Sequence, residues 1–388
     1  MSESSGPRCA DDPQLFDSPS GGQLIGHIQN WAHQNIVPLN ASIELTLRCN
    51  IRCLHCYNFD RDEPRAACDT PELSTAEILR VMGELREAGC LFVMFTGGEV
   101  LSHPELFTFM DRARELNFAV QLLTNGTMLR PGVAAKLASY ENLQGVSISL
   151  YGATPEVHDM VTQMPGSWRR TWDGVRRLRH LGLKVRLKFV IMRQNHHEAA
   201  AMRAHADAEG FPYTIDLAIT ARHDGSQGSF DTRATPEQIE ELFRGPLNAF
   251  VPRKAREVTD ESWACNCARG NLAITATGDV HPCVSVPWKA GSVREQSVAE
   301  IWRGSPVFQQ IRGLKVTDYE KCSPCDHKGY CMRNRGAALT ATGSYTGADP
   351  YICTMAETSH RLSDERRAKA EGQPDAEQRP VVRLAVAR

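Results

Sequence analysis

The stretch Ile43-Glu44-Leu45-Thr46-Leu47-Arg48-Cys49-Asn50-Ile51-Arg52-Cys53-Leu54-His55-Cys56-Tyr57 decides how the rest of the chain is read. IELTL (43–47) reads as a strand, and it runs straight into three cysteines spaced CX3CX2C. Three thiols that close together can wrap one face of a metal or cluster and leave a position open for chemistry, whereas a structural zinc takes four ligands. A zinc site completed by His55 or a distant residue is the alternative that local spacing leaves standing.

Outward from this stretch a pattern repeats. Ile78, Val81, Met82 and Leu85 recur at helical spacing behind Ser74 or Thr75 as N-cap. LFVMFT (91–96) is a continuous apolar run of strand length, suited to a parallel strand buried on both faces. A helix from Pro104, AVQLLT (119–124), a helix opened by Pro131 and GVSISL (145–150) follow. Trp168, Trp172, Val175, Leu178 and Leu181 mark an amphipathic helix. KVRLKFVIM (184–192), a helix over about 196–209 and YTIDLAI (213–219) complete the series. Six β–α units in a row predict an α/β fold with a parallel sheet and right-handed crossovers, bent into a partial barrel.

The chain has 388 residues, 41% hydrophobic, with 44 Lys+Arg against 46 Asp+Glu, a net charge of −2. That length and composition support a large core, and the acidic balance argues against nucleic acid as partner. No apolar run reaches the length of a membrane span, and MSESSGPRCADDPQ has no signal-peptide character, so the cytoplasm is expected and no membrane partner. Thirteen cysteines in a reducing compartment point to metal or chemistry rather than disulfides. None falls between 91 and 264, and seven lie at 265, 267, 283, 322, 325, 331 and 353. Cys9, Cys68 and Cys90 read as bland. The divisions expected are a flexible arm and docking segment (1–40), the partial barrel (41–230), a bridging helical segment (231–264), a cysteine-rich domain poor in core (265–360) and a charged, fraying tail (361–388).

CNIRCLHCY resembles the cluster loop of the radical S-adenosylmethionine (radical SAM) superfamily, with His55 where an aromatic residue is usual. Thr96-Gly97-Gly98-Glu99, after the second strand, matches that superfamily's GGE motif. The resemblance implies a partial (β/α)6 radical SAM barrel and a 4Fe–4S cluster held by Cys49, Cys53 and Cys56. It implies S-adenosylmethionine (SAM) chelated to the open iron, with Gly97, Gly98 and Glu99 beside its amine and Tyr57 beside its adenine. Reductive cleavage would give methionine and a 5′-deoxyadenosyl radical. Ser149 and Lys188, at or near strand ends on the same rim, are further candidate SAM contacts. Some members carry an Arg downstream of the Ser149 position, whereas HDMVT (158–162) has none.

Cys265-X-Cys267, Gly278-X4-Cys283, Cys322-X2-Cys325-X5-Cys331 and Cys353 resemble the SPASM extension of these enzymes, as do GDVHPC (278–283), GADPYIC (347–353) and AEIWRGSPVFQQIR (299–312). Two zinc ribbons are the alternative. The resemblance implies one or two auxiliary iron–sulfur clusters, the second held by Cys322, Cys325, Cys331 and Cys353. The first would use Cys265, Cys267 and Cys283 with a cysteine shortly after Cys331, but Met332-Arg333-Asn334-Arg335 supplies none.

SPASM enzymes mostly modify ribosomally made peptides, so a crosslink or related side-chain oxidation on a precursor peptide is the expected function. A cofactor or tetrapyrrole maturase of pyrroloquinoline quinone, mycofactocin or heme-pathway type is the second reading, and a non-catalytic iron–sulfur protein the last. Anaerobic sulfatase maturases carry an Asp after the GX4C cysteine, where this chain has Val284. Asp279, Asp216 and Asp224 are candidate bases. Only 40 residues precede the barrel, so a leader peptide is expected to dock on the barrel and SPASM surfaces or on a separate leader-binding protein. Flavodoxin or ferredoxin is the expected reductant.

Overall fold

The computed structural model describes residues 22–58, 70–260 and 265–371. The arm up to residue 21, Cys9, Cys68 and the tail after 371 lie outside the described residues. Helix α1 (Gly22–Asn35) leads into β1 (Asn40–Thr46), and the alternation then runs as the sequence predicts. It comprises α2 (Thr75–Glu87), β2 (Phe92–Gly97), α3 (Leu106–Glu115), β3 (Ala119–Thr124), α4 (Pro131–Ala138) and β4 (Leu143–Leu150). Helices α5 (Pro155–Thr162) and α6 (Ser167–His180) precede β5 (Val185–Val190), α7 (Ala199–Glu209) and β6 (Tyr213–Asp216). Ser74 caps α2 in a capping box with Glu77. All five pairings from β1 to β6 are parallel and sequential, so every strand-to-helix loop emerges at one rim.

Register and the two-residue period of strands fix which side chains share a face. Ile43, Phe95, Leu122, Ile148, Leu187 and Phe189 are each fully buried in the main core with Ile78, Met82, Phe109 and Trp172 from the helices. The opposite face carries Glu44, Thr96, Gln121, Ser147, Ser149, Arg186, Lys188, Thr214 and Asp216. One wall of the sheet is therefore a packed core and the other a polar interior.

After α8 (Pro236–Arg244) the chain returns to the same sheet. Strand β7 (Asn271–Ile274) pairs parallel with β1, and β8 (Asp279–His281) and β9 (Gly291–Ser292) continue it antiparallel. The strand order is β6-β5-β4-β3-β2-β1-β7-β8-β9. The cysteine-rich region is thus an extension of the barrel sheet, and its buried residues join the barrel's core. Helices α9 (Val298–Gly304) and α10 (Pro306–Gly313) bury Ile301, Trp302 and Phe308, and the Trp302 indole donates to the Ile36 carbonyl at 2.7 Å.

Helix α11 (Arg335–Thr342) and the long α12 (Pro350–Glu371) close the described chain. The fraying expected from residue 361 is not what the structure has, since α12 continues to Glu371. Leu362 and Ser363 are buried, and Arg361 and Glu365 pair with Glu240 and Arg244 of α8. The charged composition of this stretch reflects a helix with one buried face and one ion-paired face.

Candidate active site at the strand ends

The Glu72 carboxylate accepts from the Thr46 hydroxyl (3.0 Å) and the Leu47 amide (2.8 Å), fixing how the chain leaves β1. The cysteine loop is then tied to the end of α5: the Arg52 amide donates to the Thr162 carbonyl and the Leu54 amide to that of Val161. Cys49, Cys53 and Cys56 are all half-buried thiols outside any disulfide. His55, the residue in the usual aromatic position, packs edge-on against Tyr151 at 4.7 Å. Burial, reinforced by Lys188, lowers its pKa to about 3, so it behaves as a neutral ring. The Tyr151 hydroxyl hydrogen-bonds both Ser149 and Cys53.

Gly97 and Gly98 owe their place to the neighbouring strand. A Cβ on Gly97, where φ is +129°, would lie 2.4 Å from the Thr46 carbonyl oxygen, and one on Gly98 would lie 2.2 Å from that of Arg48. The Gly98 amide donates to Thr46 and the Glu99 amide to Arg48, locking this turn against the start of the cysteine loop. Glu99 is fully buried, and its carboxylate accepts from the Thr124 hydroxyl (2.6 Å) and from the amides of Asn125 (2.8 Å) and Leu101 (3.0 Å). Burial raises its pKa against those three donors. It fastens the ends of β2 and β3 to each other and keeps lone-pair capacity for one more donor.

Ser149 and Lys188 are register partners on β4 and β5, facing the polar interior, and the Lys188 ammonium is 3.9 Å from Asp216. Asp279 sits in an ion pair with Lys289 at 2.7 Å, and Asp224 caps the Ser226 amide, so two of the three candidate bases are engaged elsewhere. A different carboxyl occupies the interior. Glu44 is 3% exposed and accepts from the Tyr57 hydroxyl at 3.0 Å; burial raises its pKa to about 7. The His223 ring lies 5.0 Å from Tyr57 and 6.0 Å from His281, and burial holds both histidines near a pKa of about 4.

Cys90 is buried with its thiol against the Leu39 and Phe92 carbonyls, and the cysteines from 265 to 353 fall into two groups. The sulfurs of Cys265 and Cys267 are 3.2 Å apart, and Cys267 also hydrogen-bonds Cys283. Cys322, Cys325 and Cys331 all act on the Cys353 thiol, which burial and these neighbours push up to about 11. Sulfur-only donor sets suit iron–sulfur clusters, and the thiols of the three groups, half-buried apart from the buried Cys267 and the exposed Cys353, fit that ligation.

The model of the radical SAM superfamily matches residues 43–205, and that of the SPASM iron–sulfur cluster-binding domain matches 265–326. The chain belongs to the radical SAM superfamily and carries a SPASM domain. Its cofactors are accordingly a 4Fe–4S cluster, SAM and SPASM-bound iron–sulfur. This radical SAM/SPASM chain is 27% identical over 334 residues to the AdoMet-dependent heme synthase of Methanosarcina barkeri, covering 79% of this chain and 94% of that protein. It is 28% identical over 360 residues to the PqqA peptide cyclase of Granulibacter bethesdensis, covering 87% and 93%. Streptococcus suis SuiB bound to S-adenosylmethionine shares the fold, with a TM-score of 0.63 and 15% identity over 87% of this chain and 83% of that one.

Within the radical SAM/SPASM frame, sequence reasoning passed over Glu44, Tyr151 and His223. A carboxylate inside the apolar strand IELTL was the available signal for Glu44. Tyr151 and His223 reach the site through loops after β4 and β6, and nothing local marks them.

Proposed function

We propose that this radical SAM/SPASM enzyme modifies a ribosomally made precursor peptide, forming a crosslink or carrying out a related side-chain oxidation. The observation that supports it is the outer edge of the barrel sheet at β6, whose following loop reaches the cysteine loop where the His223 amide donates to the Tyr57 carbonyl. Strand β6 is an outer strand of half-exposed residues, and Thr214 and Asp216 extend the polar interior row of Ser149 and Lys188. An edge strand can take an extended peptide by main-chain pairing and present its side chains to that row.

In this reading Cys49, Cys53 and Cys56 hold the catalytic cluster, and Cys322, Cys325, Cys331 and Cys353 hold an auxiliary one. The catalytic cluster supplies the electron that cleaves SAM and so starts hydrogen abstraction from substrate. Gly97 and Gly98 keep the cysteine loop and the Glu99 turn in contact, Glu99 receives the SAM ammonium, and Tyr57, Ser149 and Lys188 border the nucleoside. Glu44, with Tyr57 donating to it, replaces Asp279 as the carboxyl able to accept a substrate proton near neutral pH. The electron donor is a flavodoxin or ferredoxin, and a separate protein can present the peptide leader.

A second reading is a cofactor or tetrapyrrole maturase. The likeness to the heme synthase favours it, and Arg186 and Lys188 on the interior face of β5 are cations that could meet substrate carboxylates. The full chain, reconstituted anaerobically with iron and sulfide, is incubated with SAM, dithionite and either the peptides encoded beside its gene or a carboxylate-bearing tetrapyrrole. The peptide reading expects 5′-deoxyadenosine together with a peptide that has lost hydrogen. Peptides left unchanged while the tetrapyrrole is consumed would overturn it in favour of the second reading.

A further inference from the structure

The loop after β3 holds Asn125 through both its main chain and its side chain. The residue is 8% exposed. Its main-chain amide donates to the Glu99 carboxylate at 2.8 Å, and its carbonyl accepts from the Thr171 hydroxyl of α6 at 2.9 Å. The turn that follows needs Gly126, whose φ is +78° and whose amide donates to the Thr124 hydroxyl at 3.0 Å.

The two ends of the carboxamide are told apart by their partners. Asn125 Oδ1 accepts from the Thr127 amide at 2.9 Å and from the Thr127 hydroxyl at 2.6 Å. A main-chain amide can only donate, so this end is the oxygen and the other is the NH2 group. Asn125 Nδ2 donates to Asn50 Oδ1 at 2.9 Å, and Asn50 Nδ2 donates to the Thr127 hydroxyl at 2.8 Å. The three side chains thus close a ring of hydrogen bonds, and Asn50 is the neighbour of Cys49 in the chain. An NH2 group has two hydrogens, and the second is left for the Cys49 sulfur, 4.0 Å from Nδ2.

A neutral thiol is a weak acceptor, whereas a thiolate ligand carries charge and gains more from a donor. It gains most when the cluster takes up an electron, and hydrogen bonds to sulfur are among the features that set the reduction potential of an iron–sulfur cluster. We propose that Asn125 is a positioning residue that tunes the catalytic cluster, its Nδ2–H donating to the Cys49 sulfur and raising the reduction potential. Through its main chain the same residue holds Glu99, so one position aligns the carboxylate after β2 with the cysteine loop after β1. The inference rests on the 4Fe–4S cluster of the radical SAM family and is independent of the substrate.

The test uses the full chain, reconstituted anaerobically with iron and sulfide, titrated reductively without SAM and read by electron paramagnetic resonance. The signal missing from the Cys49, Cys53 and Cys56→Ala protein belongs to the catalytic cluster. Asn125→Leu keeps the shape of the side chain and has no N–H. Its midpoint is expected to fall by about 59 mV, a tenfold lower ratio of reduced to oxidised cluster at the same solution potential. Asn125→Asp keeps the acceptor for Thr127, removes the donor and adds a negative charge, so its midpoint is expected to be lower still. Thr171→Val removes the bond to the Asn125 carbonyl but leaves the NH2 group facing Cys49, and it is expected to keep the parent midpoint. An unchanged midpoint in Asn125→Leu, or an equal fall in Thr171→Val, would overturn the assignment. Loss of the catalytic signal from both Asn125 variants would overturn it too, making the residue a support for the loop alone. A parent without that signal would overturn the cluster reading, and this one with it.

Discussion

Glu44 on β1 and Gly98, just after the neighbouring β2, illustrate opposite demands on a single residue. A carboxyl whose pKa is about 4.5 in the unfolded chain and about 7 in the folded one binds a proton on folding between those values. Its favourable contribution is complete below the unfolded value, is lost as pH rises through the window, and is constant above it. The difference is on the order of 3 kcal/mol. Urea unfolding of cluster-free protein should therefore show that Glu44→Gln, which can still accept from Tyr57, becomes relatively more stable than the parent as pH rises from the acid side to neutrality. A pH-independent difference would mean that Glu44 ionises normally. At Gly98 the demand is steric, because an added Cβ must displace the Arg48 backbone. Gly98→Ala should cost on the order of 1–3 kcal/mol. Gly26→Ala, in a helix with nothing within 4 Å, should gain about 0.5–1 kcal/mol instead. A melting temperature unchanged in the Gly98 variant would show that the two loops tolerate separation. The GGE motif was legible as a motif, but its packing partner was not, since the contact joins loops fifty residues apart in sequence.

Elements were legible in proportion to how local their signals are. Strands β2 to β5 are short apolar runs between helices with periodic faces, and Ser74 and Pro131 mark helix starts within a residue or so. Helix α12 was not legible past residue 361, because its stability comes from α8, more than a hundred residues earlier. Its two kinds of contact are unequal. The Arg361, Arg244, Glu240 and Glu365 pairs are largely solvent-exposed, and such pairs contribute little. Leu362 is 4% exposed within the main core. Leu362→Ala should cost about 2–4 kcal/mol and speed amide exchange in α8. Glu365→Ala should leave both nearly unchanged, apart from a weaker dependence on salt. The reverse ranking in thermal melts would make the ion pairs, and not the apolar face, the reason this helix forms.

At the scale of the whole molecule, the sequence suggested a barrel followed by a separate cysteine-rich unit, and the structure joins them into one sheet by a strand pairing. Asn40 to Ile43 of β1 align with Asn271 to Ile274 of β7, and the Asn40 side-chain amide donates to the Asn271 side chain at 2.9 Å. No local pattern announces a parallel pair separated by some 230 residues, because its hydrogen bonds and its buried face exist only once both strands are in place. Strand β1 thereby holds the cysteine loop at its C-terminal end, while Cys267 lies just before the N-terminal end of β7. The cysteine loop and Cys267 are held at opposite ends of adjacent strands. A rigid sheet between them fixes that separation, so loosening the pairing should be felt on both sides. Ile274 is fully buried and in register with Ile43. Ile274→Ala should cost about 2–5 kcal/mol. In hydrogen-exchange mass spectrometry of the cluster-free chain it should accelerate exchange in β3 and β4 as well as in β7 and β8, by the same factor, because all open in one global event. Acceleration confined to residues 265–355 would mean that the SPASM region unfolds by itself, and that the β1–β7 pairing joins two independent units without coupling them.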